Sequence, residues 1–291
     1  MSEYIRFLAA GGTDVGKVRK TNQDSFGAKI MHTKCGDAAA AIMCDGMGGY
    51  QNGEVASATV VDAFQKWLLR RLPEFAAQTD LEKPLDVDVV FKDWTEIVDV
   101  CNRRILRYGQ KRGITLGTTA AMFLALRGEF LILNVGDCRV YQISDEIKQI
   151  TVDQTVTQAA LDSGEITAEQ AATDSRSHIL TECIGIAKEV RPNYYRGKLL
   201  PEAVYMLCCD GFRHKVEEKE FFEAFDPRLM TDSLQMQQQI YDLIELNMER
   251  GEADNISSVA IRCITAEGSS EGQEFAVQDE FCFTSSTELA K

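Results

Sequence analysis

The stretch Ala40-Ala41-Ile42-Met43-Cys44-Asp45-Gly46-Met47-Gly48-Gly49 constrains this chain more than any other. An apolar run suited to a buried strand stops at a single aspartate, and three glycines follow within four residues. Asp45 is too polar for a core strand. The glycines free the backbone to turn sharply and to approach a ligand closely, so a small charged species is expected there. Two other apolar runs end alike: Ala203 to Cys209 delivers Asp210-Gly211, and Phe130 to Val135 delivers Gly136-Asp137. A different pattern, Glu252-Ala253-Asp254-Asn255-Ile256-Ser257, sets an Asp-Asn pair just ahead of a β-like segment. The chain reads as a scaffold for gathering aspartates.

Hydrophobic periodicity supplies the scaffold. Residues 4–10 form an opening strand, and a polar, glycine-punctuated loop leads back to β-like sequence near Phe26. Ala56, Val60, Ala63, Phe64, Trp67, Leu68 and Leu72 recur three or four apart, which predicts a helix from about Gly53 to Leu72 with Pro73 helping to end it. Val90, Trp94, Ile97, Val98, Cys101, Ile105 and Tyr108 predict a second, from Val89 to Tyr108. Both aromatic stripes are core packing. From Gly117 the pattern becomes strand, short turn, strand, continuing through Val140–Ile143 and Lys148–Val152. Without crossover helices such a run makes antiparallel sheets, and neither GxGxxG nor GxxxxGK[ST] occurs. Short helices are expected over Val156–Ser163 and from Thr167, then a loop-rich excursion over Asp174–Gly197 bordering the site. A β-run over Leu199–Cys209, helices over Val216–Phe225 and Ser233–Met248, and a closing strand Ile256–Ile264 follow. Beyond Thr265 the chain turns acidic and Ser/Gly/Glu-rich, with Phe281-Cys282-Phe283 its one strongly apolar patch. The expected division is a domain over residues 1–265 and an accessory tail over 266–291.

Charge and cysteine usage exclude several classes. With 45 Asp+Glu against 31 Lys+Arg, the formal charge is −14. Duplex nucleic acid demands a basic face, so neither a nucleic-acid binder nor a nuclease is expected. Nine cysteines at scattered positions form no CxxC and no His/Cys metal spacing. They fit buried free thiols in a reducing compartment. No apolar N-terminal leader and no run near the ~20 residues needed to span a bilayer occurs. A cytoplasmic monomer without membrane attachment is the expectation.

Long insertions separate Asp45, Asp210 and Asp254, but strand ends in a two-layer sheet fold can bring them together. Three ionised carboxylates in a small volume demand a counter-charge, and a divalent cation is the common solution. Oxygen ligands without histidine favour Mg²⁺ or Mn²⁺ over Zn²⁺. Two such ions would make a hydroxide near neutral pH and clamp a transferring phosphoryl group.

In order and rough spacing, Asn22-Gln23-Asp24, Asp45-Gly46-Met47-Gly48-Gly49, Gly117-Thr118-Thr119, Gly136-Asp137-Cys138-Arg139, Cys209-Asp210-Gly211 and Asp254-Asn255 resemble the motifs of metal-dependent PP2C-type (PPM) serine/threonine phosphatases in their compact bacterial form. The likeness covers about residues 4–265. It implies an α+β fold, a four-layer α-β-β-α sandwich of two antiparallel sheets flanked by antiparallel helix pairs, with two Mn²⁺ or Mg²⁺ ions at one edge. By position, Asp45 would bridge both ions, Asp210 and Asp254 would complete the first site, and the Gly46 carbonyl would ligate the second. Asp24 would orient a metal-bound water, Arg19 would grip the substrate phosphate, and Asp137 and Asn255 would support. The implied reaction is in-line attack of a bridging hydroxide on phosphoserine or phosphothreonine in proteins that a serine/threonine kinase modifies, without a phosphoenzyme.

Some positions depart from that pattern. Gln23 stands where an acid is usual and Cys138 where serine is commoner; Asp153-Gln154-Thr155 lacks the family's histidine. No acid lies in Gly109–Leu116, so a third ion would rely on Asp210 and another carboxylate such as Asp174. The histidines, His32, His178 and His214, are candidates by chemistry alone. A non-catalytic regulatory module on this fold and a phosphatase of small phosphate esters remain as alternatives.

Overall fold

The computed structural model describes residues 3–48, 52–267 and 277–284, so Gly49 of the glycine-rich stretch lies outside the described residues. In chain order the first elements are β1 (Glu3–Asp14), β2 (Ser25–Thr33), β3 (Gly36–Cys44), β4 (Gly46–Met47), α1 (Gly53–Gln78) and α2 (Val87–Arg112). A meander follows of β5 (Gly117–Thr118), β6 (Ala120–Leu126), β7 (Glu129–Val135), β8 (Arg139–Ile143) and β9 (Ile147–Gln149). Then come α3 (Val156–Asp162), α4 (Ala168–Ala171), β10 (Asn193–Lys198), β11 (Val204–Cys208), α5 (Asp210–Arg213), α6 (Glu218–Ala224), α7 (Ser233–Glu249), β12 (Ile256–Glu267) and β13 (Val277–Thr284).

One sheet runs β1-β12-β11-β8-β9, a second runs β10-β7-β6-β3-β2-β13, and β4 pairs with β5 alone. Neighbours pair antiparallel throughout these sheets. The two large sheets form the middle of an α-β-β-α sandwich. β3 shows why its sequence is a continuous apolar run instead of an alternation: the strand is covered on both faces. Ala39, Ala41 and Met43 enter the core between the sheets. Ala38, Ala40, Ile42 and Cys44 face the core beneath α1 and α2. In that outer layer Phe64, Trp67 and Trp94 meet edge-to-face or stacked at 5.6–6.0 Å. On the other side α7 supplies Met236, Ile240 and Ile244 to the core of the five-stranded sheet, and Phe221 of α6 meets Tyr141 of β8 at 6.0 Å.

Several boundaries move from the sequence expectation. α1 continues through Pro73 to Gln78. Proline removes the bond to residue 69, but Leu69 faces solvent, where water can satisfy its carbonyl, while buried Leu72 and Ala76 anchor both sides. α2 gains a turn and stops at Gly113, whose φ of 66° is a left-handed cap. The expected β-run from Leu199 begins only at Val204, after a turn with Glu202 at φ 59°. The excursion after Asp174 contains β10, an edge strand whose alternating burial conceals its apolar signal. Beyond residue 265, β12 extends to Glu267 and β13 pairs with β2, placing Phe281 and Phe283 against Phe26 at 6.1 and 6.0 Å.

Candidate functional site

At one edge of the sandwich a cleft of about 320 Å³ is lined by Arg19, Gln23, Asp45, Gly46, Met47, Gly48, Thr119, Asp137, His178, Leu180, Asp210 and Asp254. Each aspartate reaches it from a strand end. Asp45 closes β3, and its backbone is gripped from both directions. Its N–H donates to Thr119 Oγ1 at 2.9 Å, while its carbonyl accepts from Thr119 N and Thr118 Oγ1, each at 2.9 Å. The Gly-Thr-Thr segment thus fixes where the Asp45 carboxylate starts. Asp210 follows β11 and opens α5, and Asp254 lies two residues ahead of β12.

The glycines after Asp45 and Asp210 answer to crowding. A Cβ on Gly46 would stand 2.3 Å from the Gly53 carbonyl oxygen and 2.5 Å from that of Gln23; one on Gly211 would stand 2.1 Å from the Asn255 carbonyl oxygen. Neither residue has the positive φ that a sharp left-handed turn would need. Gln23, the neutral substitute for an acid, ties the same region together. With its carboxamide nitrogen facing Gly46, it donates to the Gly46 carbonyl at 3.2 Å and accepts from Gly53 N at 3.1 Å.

Asn255 is a staple. Its Oδ1 accepts from Gln23 N at 2.9 Å, and its Nδ2 donates to the carbonyls of Val15 and Thr21 at 3.0 and 3.2 Å. The Arg19-bearing loop is thereby fastened to the start of β12. Arg19 Nη2 donates to Asp254 Oδ2 at 2.6 Å. Glu252, which the sequence reading passed over, accepts from Ala253 N and Asp254 N at 2.7 and 2.9 Å and shapes the turn presenting Asp254.

Asp24 is buried beneath the cleft and receives a short hydrogen bond, 2.5 Å, from Ser257 Oγ. Its other oxygen, Oδ1, is buried without a hydrogen-bond partner, as is Oδ1 of Asp210. Burial pushes the Asp24 carboxyl up to about 7; Ser257 and Cys209 pull against that shift, and Asp210 and Asp254 add to it. Asp45 is raised well above the usual carboxylate range, first by burial and then by Asp24, Asp210, Asp254 and Asp137. Asp137 is likewise pushed up to about 7 by burial and Asp210, with Arg213 opposing at 3.5 Å. Behind it Arg139 grips both oxygens of Asp153, its Nη2 at 2.7 Å, and Arg213 approaches the same carboxylate at 3.6 Å. Asp137 and Arg139 share one sequence motif, but their joining to Asp153 and to Arg213, 76 positions beyond Asp137, was not legible in the sequence, because no spacing signal links those residues.

The cleft therefore gathers carboxylates that repel one another and holds two buried, unpartnered oxygens. Such a donor set fits hard divalent cations. Among the described residues no three carboxylate, imidazole or thiol groups converge on one point. Ions held there would take part of their coordination from water, as Mg²⁺ usually does. The carboxylate suggested for a third ion, Asp174, has both oxygens engaged by Arg176, and that pairing holds it down at about 2. His32 pairs with Asp37 at the far end of the β2–β3 hairpin, and His214 sits 3.6 Å from Asp210 and 3.4 Å from Glu252. The expected free thiols hold for the described cysteines, none of which is in a disulfide.

Comparison with known proteins agrees with this geometry. The sequence pattern of the family described as "Protein phosphatase 2C" matches residues 12–245. The serine/threonine protein phosphatase PstP of Mycobacterium tuberculosis is 29% identical over 253 residues, covering 86% of this chain but 44% of PstP. The chain thus spans less than half the length of that relative. The protein phosphatase PhpP of Streptococcus pneumoniae is 25% identical over 248 residues, covering 84% of this chain and 93% of PhpP. Among solved structures, the S. agalactiae serine/threonine phosphatase superposes with a TM-score of 0.71 at 25% identity over 89% of this chain and 99% of the other. The catalytic domain of PstP, solved in complex with two manganese ions, gives 0.68 at 26% identity over 90% of this chain and 100% of that domain. With a family match over most of its length and a shared fold that carries the aspartate-lined cleft, the chain belongs to the protein phosphatase 2C family.

Proposed function

We propose that this chain is a metal-dependent protein serine/threonine phosphatase, hydrolysing phosphoserine and phosphothreonine in proteins without a covalent phosphoenzyme. The observation that carries this reading is the gathering of Asp45, Asp137, Asp210 and Asp254 around one cleft, above buried Asp24. The donor set suits two Mn²⁺ or Mg²⁺ ions, as in the PstP structure solved with two manganese ions. Asp45, Asp210, Asp254 and the Gly46 carbonyl would hold them. When bound, the ions supply a water made nucleophilic near neutral pH and positive charge for the phosphoryl oxygens.

The chain's own residues supply placement. Thr118 and Thr119 lock the Asp45 backbone, so its carboxylate is held before substrate arrives. Asp24, below the cleft floor, positions a water through its unpartnered Oδ1. Arg19, anchored on Asp254, directs its remaining N–H groups to the phosphoryl oxygens and offsets charge that develops there. Among the described residues no serine or cysteine lines the cleft, and the Thr119 hydroxyl is engaged with Asp45. Direct attack by water is the route this lining favours. No described helix is long and apolar enough to cross a membrane; a cytoplasmic monomer acting on kinase substrates is part of this proposal.

The test is release of phosphate from a phosphothreonine peptide by the full chain with Mn²⁺, against a chelated control and against small phosphate esters. Turnover on the peptide supports the proposal. A folded protein with no release over the chelated control rejects it. Turnover confined to small esters moves the function to metabolite chemistry.

A further inference from the structure

Departure of a serine or threonine oxygen needs a proton, because the free alkoxide is a poor leaving group. The residues lining the cleft offer few sources. Arg19 does not release its proton in a protein, Gln23 and Thr119 are neutral, and Asp45, Asp137, Asp210 and Asp254 are ionised wherever cations sit among them. His178 is the one imidazole on that lining. His214 is engaged with Asp210 and Glu252, and His32 lies at the opposite end of its hairpin with Asp37.

The segment bearing His178 is tied to the same turns that present the aspartates. Leu180 forms a β-bridge with Thr155, through a 2.8 Å bond from Val156 N to the Ile179 carbonyl. Thr181 N donates to the Gln154 carbonyl at 2.8 Å. Gln154 in turn binds Gly136, whose N–H reaches its Oε1 at 2.8 Å, one residue before Asp137. Farther along, Ile184 and Thr118 exchange two 2.9 Å bonds, and Thr118 is the residue that grips the Asp45 carbonyl. On its other side, Asp174 and Arg176 clasp each other and Ile179 N bonds the Arg176 carbonyl at 2.9 Å, closing the turn that carries His178. The backbone on either side of His178 is thus braced where this residue lines the cleft.

Resting on the phosphatase reading above, we propose that His178 is the acid that protonates the leaving serine or threonine oxygen. As a water oxygen bonds to phosphorus and gives up a proton to solvent, the ester P–O bond breaks; its electron pair stays on the substrate oxygen, which takes the proton from the imidazolium. Neutral His178 then regains a proton from solvent while inorganic phosphate departs. An imidazole is suited to this because its ring nitrogens can both give and take a proton. The charged groups facing it are Arg19, Asp45, Asp137, Asp210 and Asp254 across the cleft, with the Asp174–Arg176 pair and Glu165 on its own segment.

The experiment compares His178→Gln with the unaltered full chain, with Mn²⁺, on a phosphothreonine peptide and on p-nitrophenyl phosphate. The nitrophenolate leaves without protonation. The expected result is a fall in kcat of about 100-fold on the peptide and a change within about threefold on the aryl ester. On the peptide, the alkaline limb of the kcat–pH profile should disappear, and added imidazole should restore turnover to His178→Ala. Equal losses on both substrates, or no loss on the peptide, overturn the assignment while leaving the phosphatase reading intact. If the unaltered chain is inert on the peptide, the protein-phosphatase reading fails and this assignment falls with it.

Discussion

Asp45-Gly46 and Asp210-Gly211 end two apolar strands with the same dipeptide, yet the chain continues differently. After Asp45 it stays extended as β4 and pairs with β5; after Asp210 it winds at once into α5. The glycine serves one need in both places. A backbone carbonyl passes where a side chain would stand, from Gly53 and Gln23 at one junction and from Asn255 at the other. An aspartate followed by glycine is therefore a packing signature here: the glycine lets a second chain segment close on the strand end and hold the carboxylate in place. Neither local conformation is required for that.

The comparison breaks most sharply at the carboxylates. Asp45, repelled by Asp24, Asp210, Asp254 and Asp137 together, lies at the centre of the cluster, whereas Asp210 has His214 alongside. Asp45→Asn, which removes the ligand proposed to serve both ions, should lower Mn²⁺-dependent turnover by more than the about 10–100-fold typical of outer partners, and Asp210→Asn, which removes a ligand of one ion, by less. Equal losses in steady-state assays would remove the distinction. The glycines come next. Gly46→Ala and Gly211→Ala should each destabilise by about 1–3 kcal/mol or more through overpacking, seen as a lower thermal midpoint with metal absent. A variant that melts with the unaltered chain would show that its neighbouring carbonyl moves aside freely.

A pH experiment separates the buried floor from the rim. Asp24, with a folded value of about 7 against 3.8 for an ordinary aspartate, prefers to be protonated in the fold. The unfolded chain ionises it from about pH 4 upward, so the metal-free fold should be fully favoured below that and lose stability as pH rises through about 7. Asp24→Asn should flatten that decline in chelator-treated protein, and Mn²⁺ should oppose it in the unaltered chain. A decline of the same steepness in the variant would assign it to other groups. The smallest effect belongs to Cys138→Ser. The thiol lies 3.1 Å from Thr119 Oγ1, a contact a serine hydroxyl can keep, so turnover should change by no more than about threefold. A larger loss would show that sulfur's size matters to how Thr119 holds Asp45.

The sequence made the helices and sheets legible because α1 and α2 carry a full apolar stripe and β3, β6 and β11 are buried on both faces. Pro73 does not end α1, because the carbonyl it orphans belongs to exposed Leu69 and buried Leu72 and Ala76 hold the helix on both sides. Strand β10 was hidden because edge strands need little apolar sequence. Asp45 and Asp210 announced themselves as polar residues ending apolar runs, and Asp254 as half of an Asp-Asn pair just ahead of one. Asn255 could be named only as support, since its work is to join Val15, Thr21 and Gln23 across more than 230 positions.

By itself, then, the sequence determined which residues carry charge at strand ends and that antiparallel strands would be packed with long helices, since both follow from local polarity and period; the arrangement into two helix-covered sheets came with the family resemblance. Tertiary structure alone decided that Arg19 rests on Asp254, that Gln23 bridges Gly46 to Gly53, and that His178 lines the cleft. Those relations depend on distances between segments remote in the chain, which no local pattern encodes. At the opening aspartate the two levels meet: polarity marked Asp45, while Thr118 and Thr119 hold it on the cleft that Asp137, Asp210 and Asp254 also line.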